Sequence, residues 1–193
     1  MKFKPSESQR SALPQDQRNK FTVSSDIDVL GIHLKKESKH AVSAVSCKSW
    51  QGGFDVKMWW EHLSCPVKRE RKIGTSQAWK KFRELVHSTW SEAFRDAIKR
   101  ETGLPDFTYI IAVTKLKNMD FMEKFKNDPV FLDTLSANGK FDVKIEFLTL
   151  ETMITTVMNS ATTTVESGEL GRFIQLIKAA GFELTDKTGL KSR

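Results

Sequence analysis

The side chains in this sequence whose types and spacing best suit catalysis are a carboxylate and an ammonium at the ends of two apolar runs. Asp28 lies in the apolar run 27–34, and Lys48 directly follows the run 41–47. The polar segment 35–40 joins the two runs, a pattern typical of two adjacent strands with a short turn. Such a pair at neighbouring strand ends can hold a divalent metal through oxygen ligands and stabilise developing negative charge. The alternative interpretation is an ordinary ion pair at a strand end.

The net charge of +7 is concentrated in one segment. Between positions 68 and 83, seven basic residues stand against the single acid Glu70. A patch of this kind is typical of a surface that binds a polyanion, because neutralised phosphates release their counterions. A solvated helix face is the alternative. The candidate phosphate contacts are Lys68, Arg69, Arg71, Lys72, Lys80 and Lys81.

Hydrophobic periodicity predicts alternating strands and helices along the rest of the chain. The clearest helix runs from Ser76 to about Glu101, with Trp79, Phe82 and Trp90 on its apolar stripe. The run FTYIIAV at 107–113 suits a central strand covered on both faces. The other predicted elements are a helix at 54–63, a basic loop at 64–74, a helix at 120–135 interrupted near Pro129, a strand at 143–148, and helices at 150–158 and 169–180. This order indicates an α/β fold with a central mixed sheet flanked by helices.

Composition predicts one domain with loose ends. A chain of 193 residues with 39% hydrophobic content can bury a sizeable core. We expect a mobile N-terminal arm at 1–20, one domain at 21–184 and a disordered tail at 185–193. Two cysteines imply no disulfide framework, and no apolar stretch has the length of a signal peptide or membrane span. We therefore expect a cytoplasmic protein without a membrane partner.

The segments DIDVLGIHL and AVSAVSCKSW resemble the PD-(D/E)xK motif of the restriction-endonuclease-like nucleases, and the CKSW end is most similar to the Mrr-type branch. The resemblance implies that Asp28 binds Mg²⁺ or Mn²⁺, that Asp26 assists, and that Lys48 orients or activates water. Ser46 occupies the position two before the lysine, where the family usually has Glu, Asp or Gln. The backbone carbonyl of Cys47 is a candidate substitute for that missing metal ligand.

The same resemblance implies a metal-dependent DNA endonuclease with a restriction-endonuclease-like core. Two departures from the family pattern keep a second interpretation open. Ser46 replaces an expected carboxylate or amide, and Glu7 is the only glutamate upstream of Asp28. The second interpretation is a catalytically degenerate subunit of the same fold, which binds nucleic acid or a protein partner. Such a partner is a different subunit or a second copy of this chain.

Overall fold

The computed structural model of the protein describes residues 1–13, 15, 24–33, 40–48 and 52–160. The strands are β1 (Lys2–Phe3), β2 (Ser25–Asp26), β3 (Val29–Ile32), β4 (Val42–Lys48), β5 (Phe54–Asp55), β6 (Lys72–Ile73), β7 (Ser76–Gln77), β8 (Phe107–Val113), β9 (Leu116–Lys117) and β10 (Val143–Thr149). The helices are α1 (Glu7–Ser11), α2 (Val56–Ser64), α3 (Pro66–Arg69), α4 (Arg83–Val86), α5 (Ser88–Thr102), α6 (Met122–Lys126), α7 (Pro129–Ser136) and α8 (Leu150–Ser160). Short 3-10 helices at Ala78–Lys81 and Met119–Phe121 precede α4 and α6.

A four-stranded mixed sheet forms the framework of the described fold, in the order β10-β8-β4-β3. β3 runs antiparallel to β4, with Val29 opposite Val45, as the hairpin prediction requires. β4 runs parallel to β8, with Ser46 opposite Ile111. Helices between the strands complete an α/β arrangement. The predicted α/β class with a mixed sheet is therefore confirmed.

Side-chain alternation explains the position of β4 in this sheet. Val42, Ala44 and Ser46 are buried, whereas Ser43 and Val45 are only partly buried. One face of β4 therefore belongs to the main core, and the residues on that face include the predicted site residue Ser46. The neighbouring strand β8 is apolar along its length and largely buried, which fits its predicted place as a central strand.

The prediction of one continuous helix at 76–101 is wrong. The backbone leaves helical geometry at Phe82 (φ −140°, ψ 51°) and again at His87 (φ −135°, ψ 112°), so a 3-10 helix, α4 and α5 replace it. Phe82 is fully buried, and its ring packs 5.2 Å from that of Trp59. Burial of this ring outweighs the helical preference of its neighbours. The predicted stop is confirmed, because Gly103 (φ +73°) ends α5.

The N-terminal segment contributes to the core, in contrast to the mobile arm predicted at 1–20. β1 pairs antiparallel with β2, and the Met1 ammonium donates a hydrogen bond to the Ile27 carbonyl at 2.6 Å. Phe3 is 5% exposed, with its ring centroid 6.0 Å from that of Trp90 and 5.2 Å from that of Phe94. Aromatic packing therefore fixes the start of the chain to α5.

The helix predicted at 54–63 begins two residues later than expected. Its first residues form β5, which pairs in parallel with β9. Asp55 then caps α2, because its Oδ1 accepts the Met58 amide at 2.9 Å. The basic loop predicted at 64–74 contains α3 and the first strand of the β6–β7 hairpin.

The helix predicted at 120–135 is two helices, α6 and α7. Pro129 begins α7, which is a favourable place for a residue without an amide proton. Asp128 caps this helix, because its Oδ1 accepts the Val130 amide at 2.9 Å. The strand predicted at 143–148 is confirmed as β10.

The chain divides into two units, Met1–Leu148 and Thr149–Arg193. The domain predicted at 21–184 extends across this boundary. Within the second unit the described residues after Thr149 form α8, where a helix is predicted. The helix predicted at 169–180 and the tail predicted at 185–193 lie outside the described residues. No helix in the described part of the chain is long and apolar enough to cross a membrane.

Candidate active site

Two strand ends bring Asp28 and Lys48 to the same edge of the sheet, as the sequence predicts. Asp28 immediately precedes β3, and Lys48 is the last residue of β4. Because the two strands are antiparallel, the start of β3 lies beside the end of β4. Val29 pairs with Val45, so the preceding residue, Asp28, comes beside Ser46.

A hydrogen bond fixes the Asp28 carboxylate against the end of β4. The Cys47 amide donates to Oδ2 of Asp28 at 2.7 Å, and the Asp28 amide donates to the Val45 carbonyl at 3.0 Å. The Asp28 side chain is otherwise exposed, and no described residue donates a hydrogen bond to its Oδ1. One carboxylate oxygen therefore positions the group, and the other remains available to a cation.

The charges of Asp28 and Lys48 act in opposite directions on the pKa of the Cys47 thiol. Partial burial raises the pKa of the Cys47 thiol, the Asp28 carboxylate raises it further, and the Lys48 ammonium opposes them. By strand alternation, this thiol projects from the face of β4 opposite to that of Ser46 and Lys48. A thiol with a raised pKa is protonated at neutral pH.

Lys48 contacts an aromatic ring instead of an acid. Its Nζ lies 5.2 Å from the centroid of the Phe82 ring, which is a cation–π contact. Among the described residues no carboxylate forms a salt bridge with Lys48, so the strand-end ion pair with Asp28 is not formed there. The ammonium therefore remains available to an anionic ligand.

Ser46 points into the core, away from the position of a metal ligand. It is 3% exposed, and its hydroxyl hydrogen-bonds that of Tyr109. Tyr109 in turn donates a hydrogen bond to the buried Glu84 carboxylate on α4. Burial raises the pKa of Tyr109 well above its usual value, and the Glu84 charge raises it further. This internal network anchors β4 to α4 through β8.

Glu84 and Tyr109 are the members of this region that sequence reasoning misses. The continuous helix predicted at 76–101 would place Glu84 on its solvent-facing side, among basic residues. The break at Phe82 turns α4 inward instead, and Glu84 is 4% exposed. One available signal is the single tyrosine in the apolar run 107–113, since a buried hydroxyl requires a hydrogen-bond partner.

Asp26 lies close to Asp28 along the chain but in a different pairing. It belongs to β2 and stands opposite Lys2 of β1, outside the four-stranded sheet. Ile27, between the two acids, is 1% exposed, whereas both carboxylates are exposed. Burial of Ile27 therefore turns the two acidic side chains away from the core.

The donors at this edge suit a cation that keeps much of its water. No group of three or more His, Cys, Asp and Glu side chains suited to hold a metal occurs among the described residues. Mg²⁺ is commonly bound by one or two carboxylates together with waters and substrate phosphates. Asp28, with the exposed carboxylate of Asp26 nearby along the chain, fits that open mode of binding. A closed cage of protein ligands is not formed by these residues.

No family model matches this chain, and no curated protein or solved structure matches it. A functional interpretation therefore rests on the residues at the ends of β3 and β4 and on the charges around them.

The predicted phosphate contacts include one arginine that is already engaged within the fold. Arg69 is partly buried, its Nε donates to the Leu63 carbonyl, and its Nη1 donates to the Val86 carbonyl at 3.3 Å. Burial lowers the pKa of this guanidinium. Arg69 therefore joins the ends of α2 and α4 and is not a free phosphate ligand. Lys68 lies 3.8 Å from Glu61 in an exposed ion pair.

The remaining basic residues of the patch are exposed, namely Arg71, Lys72, Lys80 and Lys81. None of them forms a salt bridge with another described residue. Lys80 and Lys81 lie on the 3-10 helix immediately before Phe82, whose ring contacts Lys48. This part of the basic surface therefore adjoins the candidate active site.

Proposed function

We propose that this protein is a metal-dependent DNA endonuclease that hydrolyses phosphodiester bonds with Asp28 and Lys48. The 2.7 Å hydrogen bond from the Cys47 amide to Asp28 carries the proposal, because it holds a carboxylate at the strand end that bears Lys48. The mixed sheet is compatible with a restriction-endonuclease-like core, and that finer fold assignment is part of the same proposal.

Asp28, assisted by Asp26, would hold Mg²⁺ or Mn²⁺. Such an ion, when bound, lowers the pKa of a coordinated water and screens the charge of the phosphate. Because Oδ2 of Asp28 accepts the Cys47 amide, the carboxylate has little freedom to rotate. Its Oδ1 is therefore oriented before a cation arrives, which reduces the entropy lost on binding.

Lys48 would stabilise the negative charge that develops on the phosphate. Its ammonium is held over the Phe82 ring and forms no salt bridge with a described carboxylate. A fixed positive charge that no acid neutralises stabilises an anionic transition state without having to reorganise. Arg71, Lys72, Lys80 and Lys81 would attract the DNA backbone to this edge of the protein.

A non-catalytic subunit of the same fold is the second candidate, and the environment of Ser46 favours it. Ser46 replaces an expected metal ligand and is committed to the hydrogen bond with Tyr109. With fewer carboxylates the site binds Mg²⁺ more weakly. In this case the exposed basic residues would still bind nucleic acid, and Asp28 would serve only to stabilise the hairpin.

Mn²⁺ titration calorimetry tests the metal site, with and without a short DNA duplex. Asp28→Asn is the informative variant, because an amide oxygen still accepts the Cys47 hydrogen bond while the charge is lost. We expect the wild-type protein with duplex to bind Mn²⁺, and Asp28→Asn to bind it at least about tenfold more weakly. Arg100→Gln is a matched control, since Arg100 is exposed and pairs with Glu101 on α5. Equal Mn²⁺ affinity in wild type and Asp28→Asn would contradict the endonuclease proposal and favour the second candidate.

A further inference from the structure

Arg83, the first residue of α4, lies between two tryptophans. Its guanidinium carbon is 4.8 Å from the centroid of the Trp90 ring and 6.0 Å from that of Trp79. Both rings are nearly or fully buried, with exposed fractions of 0% for Trp90 and 5% for Trp79. Indole faces attract a guanidinium and hold its plane in a narrow range of orientations.

This guanidinium forms no hydrogen bond and no salt bridge with any described residue. The Nε of Arg83 and the Nε1 of the neighbouring Trp79 are both buried, and no described residue accepts a hydrogen bond from either of them. Burial lowers the pKa of the Arg83 guanidinium, with the Glu84 charge opposing, and the group remains charged at neutral pH. A partly desolvated cation with a buried N–H group that lacks an acceptor is costly unless an anion compensates its charge.

The surroundings of Arg83 are positive on the side of the 3-10 helix. The Lys80 ammonium lies 5.8 Å from the centroid of the same Trp79 ring, and Lys81 is exposed beside it. Glu84 is the adjacent acid, but its carboxylate is buried and accepts the Tyr109 hydroxyl. Lys80 and Arg83 therefore both lie against the Trp79 indole, and the segment 80–83 contains no acid.

We propose that Arg83, held between Trp79 and Trp90, binds a backbone phosphate of a nucleic-acid strand. The planar fork of guanidinium N–H groups matches two oxygens of a phosphate, and the indoles restrict its orientation before binding. Lys80 supplies a second positive charge to the same phosphate or its neighbour. Phe82, whose ring contacts Lys48, directly precedes Arg83 in the chain, so the strand would pass from Arg83 towards the candidate active site. This assignment rests on the proposed function for the identity of the strand.

Duplex binding without metal tests the role of Arg83 independently of cleavage. The measurement is the fluorescence anisotropy of a short labelled duplex in EDTA, repeated over a range of salt concentrations. Arg83→Gln should weaken binding about tenfold and reduce the slope of log K against log salt by about one. Arg83→Lys keeps the charge but loses the fork, so we expect about threefold weaker binding with the wild-type slope. Arg100→Gln removes a charge from another exposed site and should bind as the wild type does.

The outcomes separate this proposal from the endonuclease proposal. Wild-type affinity in Arg83→Gln, or equal losses in Arg83→Gln and Arg100→Gln, would overturn the phosphate contact even if the protein cuts DNA. If Arg83→Gln does not fold, wild-type affinity in Arg83→Lys would overturn it. An absence of duplex binding by the wild type at low salt would overturn it as well. If the protein binds duplex DNA but never cuts it, the expected losses of affinity would support the phosphate contact of Arg83. They would contradict only the endonuclease proposal.

Discussion

The Cys47 amide donates a hydrogen bond to Oδ2 of Asp28 over 2.7 Å, which joins the bend before β3 to the end of β4. Because the donor belongs to the main chain, the contact depends on the register that places Val29 opposite Val45 and not on the side chain at position 47. The hairpin alone therefore orients the carboxylate. Tyr109 and Glu84 anchor the same strand from the core side.

Tyr109 should remain protonated at a pH where an ordinary tyrosine ionises. Burial raises the pKa of Tyr109 well above its usual value, and the Glu84 charge adds to that shift. Since the chain contains one tyrosine, the tyrosinate absorbance of the protein reports this residue alone. We expect no tyrosinate signal near pH 10 in the folded protein and an ordinary titration in concentrated urea. A titration near pH 10 without denaturant would contradict the buried contact with Glu84.

The same residue should make stability fall at high pH. The folded-state pKa of Tyr109 lies above the unfolded-state value, so its contribution is fully present below about pH 10 and is lost as the pH rises through the folded-state pKa. Urea denaturation should therefore show a steeper decline in the free energy of unfolding above pH 10 for the wild type than for Tyr109→Phe. Parallel declines in the two proteins would show that another group is responsible.

Ser46→Glu should destabilise the protein, even though it restores the carboxylate of the family pattern. Ser46 is 3% exposed and bonded to Tyr109, so a glutamate there would add a second carboxylate to a network that already contains Glu84. We expect the free energy of unfolding to fall by about 3 kcal/mol or more. Ser46→Ala is the control and should cost about 1 kcal/mol. Wild-type stability in Ser46→Glu would mean that this side chain reaches solvent beside Asp28.

The exposed Cys47 and the half-buried Cys65 should differ in reactivity. The Lys68 amide lowers the pKa of the Cys65 thiol, and the Val67 amide and the charges of Lys68 and Arg69 lower it further. The pKa of Cys47 is raised by partial burial and by Asp28. Because the thiolate is the reactive form, iodoacetamide near neutral pH should alkylate Cys65 before Cys47. Peptide mass mapping after brief alkylation measures the order, and faster labelling of Cys47 would contradict the environment described for Asp28.

Local sequence patterns predict the hairpin and the place of its charged ends. The two apolar runs form β3 and β4, and antiparallel pairing then brings Asp28 beside the end that carries Lys48. The strands at 107–113 and 143–148 follow their patterns equally well. In these segments the side-chain period and the burial of one face agree, so tertiary contacts reinforce the local preference.

The partners of the site depend on contacts that the sequence pattern does not contain. The periodicity at 76–101 is that of one helix, but burial of Phe82 breaks it and turns Glu84 towards Tyr109. In the sequence Arg69 resembles the other basic residues of the patch. Its side chain instead donates hydrogen bonds to carbonyls at the ends of α2 and α4. Phe3 stands in a polar segment, and only its packing on α5 shows that it belongs to the core. Each of these outcomes depends on a tertiary contact that hydrophobic periodicity does not encode.

Cleavage by the purified protein tests the central proposal most directly. Duplex, branched and single-stranded DNA would be incubated at neutral pH with Mg²⁺ or Mn²⁺, and strand breaks quantified on denaturing gels. We expect the wild type and Arg100→Gln to cut at the same rate, and Asp28→Asn and Lys48→Ala to be slower by about a hundredfold or more, because each removes a charge required in the transition state. Metal-dependent cutting that is lost in Asp28→Asn would support the endonuclease. No cutting of any substrate by the wild type, or equal rates in wild type and Asp28→Asn, would contradict it.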